Sequence, residues 1–337
     1  MSQLLIAGIN LHKRPEGGEH YKNHLIHDFL IPSAPTFTFD SYQWKKKPWV
    51  LFKLFYLLVF KRNWDKIFVS VTTESALRLI KITLKLNPTN AKKMVYMAIG
   101  GNQVKFMNNE SVVVINKISR IIVEGEKIRK GLIEKGVKIR VDVLPNFKKV
   151  EQLEIEKQEL KFVYIGTITK SKGVFDILNA IENLEVPFHF YGPMDLDKED
   201  QILFESKLTG EIEYKGYLNI LNNETEAYRI LSEYTALVLP SYYQGEGFPG
   251  VFIDAFIAGL PIITTNWNMN EEIVIDGFNG KIVNIQDVQG LRDAVEWYKN
   301  NFLLDEYQTQ VKNALESAHK YSYPKVLSDY YDTHWYS

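Results

Sequence analysis

Short apolar runs alternate with amphipathic stretches along most of this chain. Residues 4–7, 66–71, 93–98 and 119–123 are largely apolar segments that predict strands, and 138–144 alternates charged and apolar residues as a strand can. Residues 19–30, 74–86 and 126–135 predict helices between them. A strand that is apolar on both faces belongs inside a sheet covered on both sides, and strands alternating with helices give a parallel sheet. The segment 148–161, KKVEQLEIEKQELK, carries little core material and reads as a linker. The alternation then restarts, with strands at 162–165, 188–191, 211–215, 262–265 and 281–283. Its helices fall at 174–181, 224–231, 270–275, 288–300 and 304–318. The pattern predicts two Rossmann-like, doubly wound parallel-sheet domains facing a cleft, one over 1–150 and one over 151–320. The aromatic helical segment within 321–337 is expected to pack back on the first.

One stretch concentrates the candidate chemistry. Residues 237–263 read LVLPSYYQGEGFPGVFIDAFIAGLPII: an apolar strand, a loop with Gly245, Gly247, Pro249 and Gly250, an amphipathic helix, and a second strand after Gly259-Leu260-Pro261. Such a βαβ unit places ligands at the carboxyl ends of its strands. Glu246 lies in the loop and Asp254 follows eight residues later on the helix, which suits an anionic, hydroxyl-rich ligand. Two other loops carry related signals. Arg14-Pro15-Glu16-Gly17-Gly18 precedes a helix start, where backbone amides and the helix dipole favour an anion; a plain turn explains it equally well. In Gly166–Gly173, GTITKSKG, Lys172 brings an ammonium to a helix N-terminus.

Composition narrows the classes. The 337 residues have a formal net charge of −1, so no global field draws nucleic acid, and 45% apolar content suits a globular chain. Without cysteine, disulfides, thiolate catalysis and cysteine-held metals are excluded. The N-terminus lacks the pattern of a signal peptide and reads as a first strand. His20, His24 and His27 share one helical face, which could hold a metal, but a solvated or cleft-lining face is commoner. Contact of one of them with substrate fits better than a metal, because the helix starts at the glycine loop. Asp195-Leu196-Asp197 resembles a metal-binding acid pair, but an acidic helix start explains it better. Residues 41–64, SYQWKKKPWVLFKLFYLLVFKRNW, hold no acid, six Lys or Arg and eight aromatics. A helix over 49–62 would be roughly 20 Å long, too short for a hydrocarbon core of about 30 Å. Its bulky residues between basic clusters instead suit a helix lying on an anionic membrane surface, contacted through 45–64; a helix packed on the first sheet is the alternative.

Taken together, PSYYQGEGFPGVFIDAFIAGLPIITT, the Asp276-Gly277-Phe278-Asn279-Gly280 turn, Gly17-Gly18, Pro145-Asn146, Gly166 with Lys172-Gly173, Gly192-Pro193 and Gly216 stand in a familiar order. The chain resembles the retaining, nucleotide-sugar-dependent glycosyltransferases of the GT-B fold, family 4, over nearly its whole length. The resemblance implies a metal-independent hexosyltransferase that needs no cofactor beyond its nucleotide diphosphate sugar donor. It implies that Glu246 and Lys172 serve catalysis, Glu246 beside the transferred sugar and Lys172 at the diphosphate. The amides of Gly247, Phe248, Gly250 and Val251, around Pro249, would face sugar hydroxyls and diphosphate. Asp254 would accept from the ribose, Gly17-Gly18 would close on the diphosphate, and Thr167, Gly192 and Tyr217 would surround the nucleotide.

Three departures qualify the match. Asp254 stands where the family usually has glutamate, Thr167 where a basic residue is common, and Ile99-Gly100-Gly101 where many members carry a histidine. No catalytic base is therefore named, and Glu124 is read as structural in preference to cleft-facing. The expected acceptor is a membrane-linked glycan in surface polysaccharide assembly, which places the chain in the cytoplasm, peripheral on the inner face of the cytoplasmic membrane. Two alternatives stay open: a sugar-nucleotide epimerase or phosphorylase of the same fold, and an inactive nucleotide-sugar-binding partner subunit.

Overall fold

The computed structural model describes residues 2–10, 17–42, 44, 47, 49–61, 63–150, 159–220 and 223–334. Arg14, Pro15 and Glu16 of the first glycine loop, Lys45, Lys46 and Arg62 of the basic–aromatic stretch, and 151–158 of the expected linker lie outside them. The chain divides into two compact units, one of Met1–Phe147 with Tyr323–Ser337 and one of Lys148–Ser322.

The first unit is a parallel sheet of β1 (Gln3–Ala7), β2 (Thr36–Asp40), β3 (Lys66–Ser70), β4 (Met94–Met97), β5 (Arg120–Val123) and β6 (Arg140–Val143), ordered β2-β1-β3-β4-β5-β6. Its strands are packed with Leu4, Leu5, Ile6, Ile67, Phe68, Val69, Val95 and Ile121, all buried, as continuous apolar runs require. Helices α1 (Gly18–Ser33), α2 (Val50–Val59), α3 (Thr73–Leu86) and α4 (Glu126–Glu134) connect them, with shorter helical turns between. The pattern overlooks β2. Thr36-Phe37-Thr38-Phe39-Asp40 alternates polar and apolar side chains at the sheet edge, where only Phe39 is buried, and it follows Pro35 closely enough to read as loop. The helix Lys325–His334 belongs to this unit, and its Tyr330 hydroxyl donates to Asp142 Oδ2 at 2.8 Å. Asp142 also accepts from Arg120 (3.1 Å) and Arg140 (2.6 Å), so one buried carboxylate ties β5, β6 and the last helix together.

The second unit holds β7 (Phe162–Ile165), β8 (Phe188–Tyr191), β9 (Ile212–Tyr214), β10 (Ala236–Leu239), β11 (Ile262–Thr265) and β12 (Gly280–Val283) in the order β9-β8-β7-β10-β11-β12. All neighbours run parallel. Around the sheet lie α5 (Val174–Ala180), α6 (Lys198–Ser206), α7 (Glu224–Ser232), α8 (Gly250–Ile257), α9 (Val288–Asn301) and α10 (Asp305–Lys320). Helix α8 is buried over nearly its full length, because Phe252, Ile253, Ala255, Phe256 and Ile257 leave no polar face. The strand order reverses between β7 and β10. Loops leaving two adjacent strands there diverge to opposite sides of the sheet and open a crevice at their carboxyl ends.

Candidate active site

The two loops that leave β7 and β10 are 166–173 and 240–249, so the strand order brings Lys172 and Glu246 together from 74 residues apart. Lys172 Nζ donates to Glu246 Oε2 in a short ion pair, and Ser241 Oγ donates to the same oxygen at 2.9 Å. Glu246 is buried and Lys172 half-buried. The loop is held by its backbone as well. Tyr242 N–H donates to Ser171 O at 2.9 Å, Trp267 Nε1 donates to Tyr243 O at 2.9 Å, and Asn268 donates to the carbonyl of Glu246. Gly173 lets the first loop pass this close. It sits at φ +79°, and a Cβ there would meet Pro240 O at 2.5 Å, so a larger residue would push Lys172 off its partner.

The neighbouring loops are tied in the same way. Tyr164 Oη donates to Thr167 O at 2.6 Å, and burial together with the nearby Glu246 charge raises the phenol's pKa well above its usual value, so it stays a neutral donor. Gly192, at φ +139°, lies so close to Gly166 that any Cβ would overlap its carbonyl oxygen. Its N–H donates to Gly216 O at 2.7 Å, and its carbonyl accepts from Tyr214 Oη at 2.8 Å. Thr167 is half-exposed and Tyr217 exposed, both on loops following strands of this sheet. Gly247, Phe248 and Pro249 are buried, and Gly250 and Val251 open α8, where the first amides of a helix have no intrahelical acceptor.

Asp254 stands apart from this group. Both its oxygens accept from Lys148 Nζ at 2.6 Å, and Oδ1 also accepts from Tyr228 Oη at 2.9 Å. The side chains of Lys148 and Asp254 are 9% and 3% exposed. These two donors engage both oxygens of the carboxylate. Lys148 N–H donates to Tyr321 O at 3.0 Å, and the Tyr321 ring packs edge-on against Phe248 at 5.0 Å. Asp254 thereby joins both ends of the unit to the glycine loop. The spacing Glu246–Asp254 is visible in the sequence; Lys148 is not, because it lies in a segment whose composition reads as linker.

In the first unit Gly17, at φ 130°, caps α1, and Gly18 opens it. Both are open to added volume, with nothing within 4 Å of a built Cβ. Glu124 is buried, accepting from Lys22 Nζ at 2.8 Å and from Gly100 N at 3.1 Å, which fits its structural reading. His20 packs against Tyr42, and His27 contacts Asp28 at 3.3 Å. Among the described residues no group of three or more His, Asp or Glu side chains is placed to hold a metal ion. Asp197 caps α6 by accepting from Asp200 N at 2.9 Å, which makes the Asp195–Asp197 pair a helix start. A cavity of about 530 Å³ lined by Asn266, Glu271, Asp276, Lys281, Asp287 and Trp297 opens beside β12 and α9 and shares no residue with the Lys172–Glu246 pair.

The sequence profile of the family described as Glycosyl transferases group 1 matches residues 146–317, half of the chain. The chain belongs to that family. A 41.2 kDa protein from the cps region of Klebsiella pneumoniae is 26% identical over 159 residues, 47% of this chain and 42% of its own. The UDP-Gal:alpha-D-GlcNAc-diphosphoundecaprenol alpha-1,3-galactosyltransferase of Escherichia coli is 24% identical over 175 residues, 47% of this chain and 44% of its own. The matches thus span about half the length of these curated relatives. Among solved structures, Anabaena HepE in complex with UDP-glucose superposes with a TM-score of 0.70 at 14% identity, covering 100% of both chains. That likeness establishes a shared GT-B fold.

Proposed function

We propose that this member of the glycosyltransferase family moves a sugar from a nucleotide diphosphate sugar to a glycan acceptor, with retention of anomeric configuration. The observation that carries the reading is the Lys172–Glu246 pair at the strand-order switch of the second sheet, braced by Ser241 and by the close approach at Gly173. In the proposed reaction the bond between the anomeric carbon and the distal phosphate oxygen breaks, and its electron pair stays on the phosphate. The Lys172 ammonium neutralises that developing charge, a fixed cation being worth more in the transition state than in the ground state. Glu246 sets the ammonium's position and faces the positive charge that builds on the sugar ring. The acceptor hydroxyl bonds to the anomeric carbon from the face the phosphate leaves, and its proton passes to the departing phosphate oxygen. The amides of Gly247, Phe248, Gly250 and Val251 hold the sugar and diphosphate around Pro249, and Thr167, Gly192 and Tyr217 lie along the nucleotide.

The acceptor is proposed to be a lipid-linked glycan intermediate of surface polysaccharide assembly. Support comes from one relative whose name specifies a diphosphoundecaprenol-linked substrate and another from a cps region. A cytoplasmic location, peripheral on the membrane, follows from that acceptor. Thermal unfolding in the presence of UDP, GDP, ADP, TDP and their sugars tests the donor site. A ligand at a hundred times its dissociation constant adds about 2.7 kcal/mol of stability. One nucleotide series is expected to shift the transition, and its sugar form to be consumed when acceptor is supplied. No shift with any of them overturns the proposal.

A further inference from the structure

Helix α2 presents two apolar faces, and only one is used by the fold. Leu54, Leu57 and Leu58 are buried against the first unit. The carbonyls at the end of the helix are capped by the fold: Asn90 Nδ2 donates to Leu58 O and Lys61 O at 2.8 Å each, Asn87 Nδ2 to Val59 O at 2.9 Å, and Trp64 Nε1 to Leu57 O at 2.9 Å. These bonds fix the helix and turn its other face outward. There Trp49 is 64%, Phe52 78% and Phe60 63% exposed, with Leu51, Phe55 and Tyr56 beside them. Residues 49, 52, 56 and 60 form a single stripe, roughly 16 Å long at 1.5 Å per residue. The rings contact one another, Tyr56 stacking on Phe60 at 6.2 Å and Phe55 meeting it edge-on at 5.9 Å.

The segment that carries this stripe has charge of one sign. Residues 41–64 contain no Asp or Glu. Lys53 Nζ lies 5.1 Å from the Phe37 ring and Lys61 Nζ 3.9 Å from the Trp64 ring, each on aromatic surface beside the helix, and Lys47 is exposed at its start. We infer that the outward face of α2 docks the protein on an anionic phospholipid bilayer, with the helix parallel to the surface, its aromatic stripe among the acyl-chain boundary atoms and its lysines at the headgroup phosphates. A second copy would bring like charges together along the whole contact. At ten residues α2 is about 15 Å long, and no helix among the described residues is long and apolar enough to cross a membrane. It lies on the bilayer. The inference stands apart from the transfer chemistry, and both are read in the same samples.

The test is co-sedimentation of the full chain with vesicles of phosphatidylcholine alone and with 30% phosphatidylglycerol. Binding to the anionic vesicles is expected to exceed that to neutral ones at least tenfold and to weaken as salt is raised. The variant Phe52→Ser/Tyr56→Ser/Phe60→Ser is expected to lose at least tenfold of that binding, and Lys47→Gln/Lys53→Gln to lose most of the salt dependence. Both should keep the wild-type unfolding midpoint and nucleotide-induced stabilisation, because the substituted side chains are exposed. Equal partitioning of wild type and the aromatic variant would overturn the inference. So would concentration-dependent dimerisation, or capture of a protein partner, abolished by the same variant in a chain that ignores vesicles.

Discussion

Replacing Asp254 with alanine would remove the carboxylate paired with the Lys148 ammonium, 9% exposed, and an acceptor of the Tyr228 hydroxyl. Removing one partner of a buried pair costs about 3–5 kcal/mol, mostly because a charge is left in a poorly solvated place. Unit Lys148–Ser322 has roughly 175 residues, a size at which each kcal/mol moves the midpoint by about 2–4 °C. Asp254→Ala should therefore melt on the order of 6–20 °C below wild type, and Lys148→Met comparably. The double variant Lys148→Met/Asp254→Leu should recover most of the loss, since an apolar pair of similar volume substitutes for a buried ion pair at little net cost. Thermal unfolding of the four proteins gives the coupling, expected to exceed about 2 kcal/mol. Nucleotide affinity, measured below the variants' transitions, is expected to change less than threefold. A midpoint within about 2 °C of wild type, together with a tenfold loss of nucleotide affinity, would refute this reasoning and return Asp254 to the ribose.

Lys172→Met should lower kcat/KM about 10–100-fold, the range of one charge-assisted contact of about 1.5–3 kcal/mol, as read by steady-state release of nucleoside diphosphate. Glu246→Gln keeps the bond to Ser241 but loses the charge, so kcat should fall while donor affinity measured by calorimetry holds. Gly173→Ala introduces a Cβ 2.5 Å from Pro240 O at φ +79°; on the order of 1–3 kcal/mol of stability should be lost in chemical denaturation, with turnover reduced through the displaced Lys172. His189 is held below its usual pKa by burial and by the nearby Lys215. Its neutral form belongs to the folded state, so its contribution is complete above about pH 6.5 and is lost as the pH falls toward the lowered value. His189→Gln should flatten the stability profile between about pH 7 and 5.

Much of the architecture is legible because it rests on burial. Strands enclosed on both faces are rich in apolar residues, and the runs at 4–7, 66–71, 162–165 and 262–265 became strands, whereas the longer run at 54–60 falls almost wholly in helix α2. The edge strand β2 escaped because a half-exposed strand needs only alternate apolar residues, and five residues after a proline carry too little of that pattern. Local pattern leaves Lys172 and Glu246 on two separate loops; the family resemblance puts both at the donor, and the strand order is what brings the loops together. Lys148 was hidden for a different reason. Its surroundings come from Asp254, 106 residues later, and a lysine at the edge of a charged segment gives no local sign that it will be buried. Ser241 and Asn268, which brace Glu246, are likewise ordinary loop residues until the backbone places them.

The central claim is that Lys172 holds the diphosphate of the donor. Titration calorimetry of the preferred nucleoside diphosphate and its monophosphate, on wild type and Lys172→Met, tests it most directly. The account predicts that wild type binds the diphosphate at least tenfold more tightly than the monophosphate and that Lys172→Met erases most of that difference. Undiminished discrimination in the variant would contradict it.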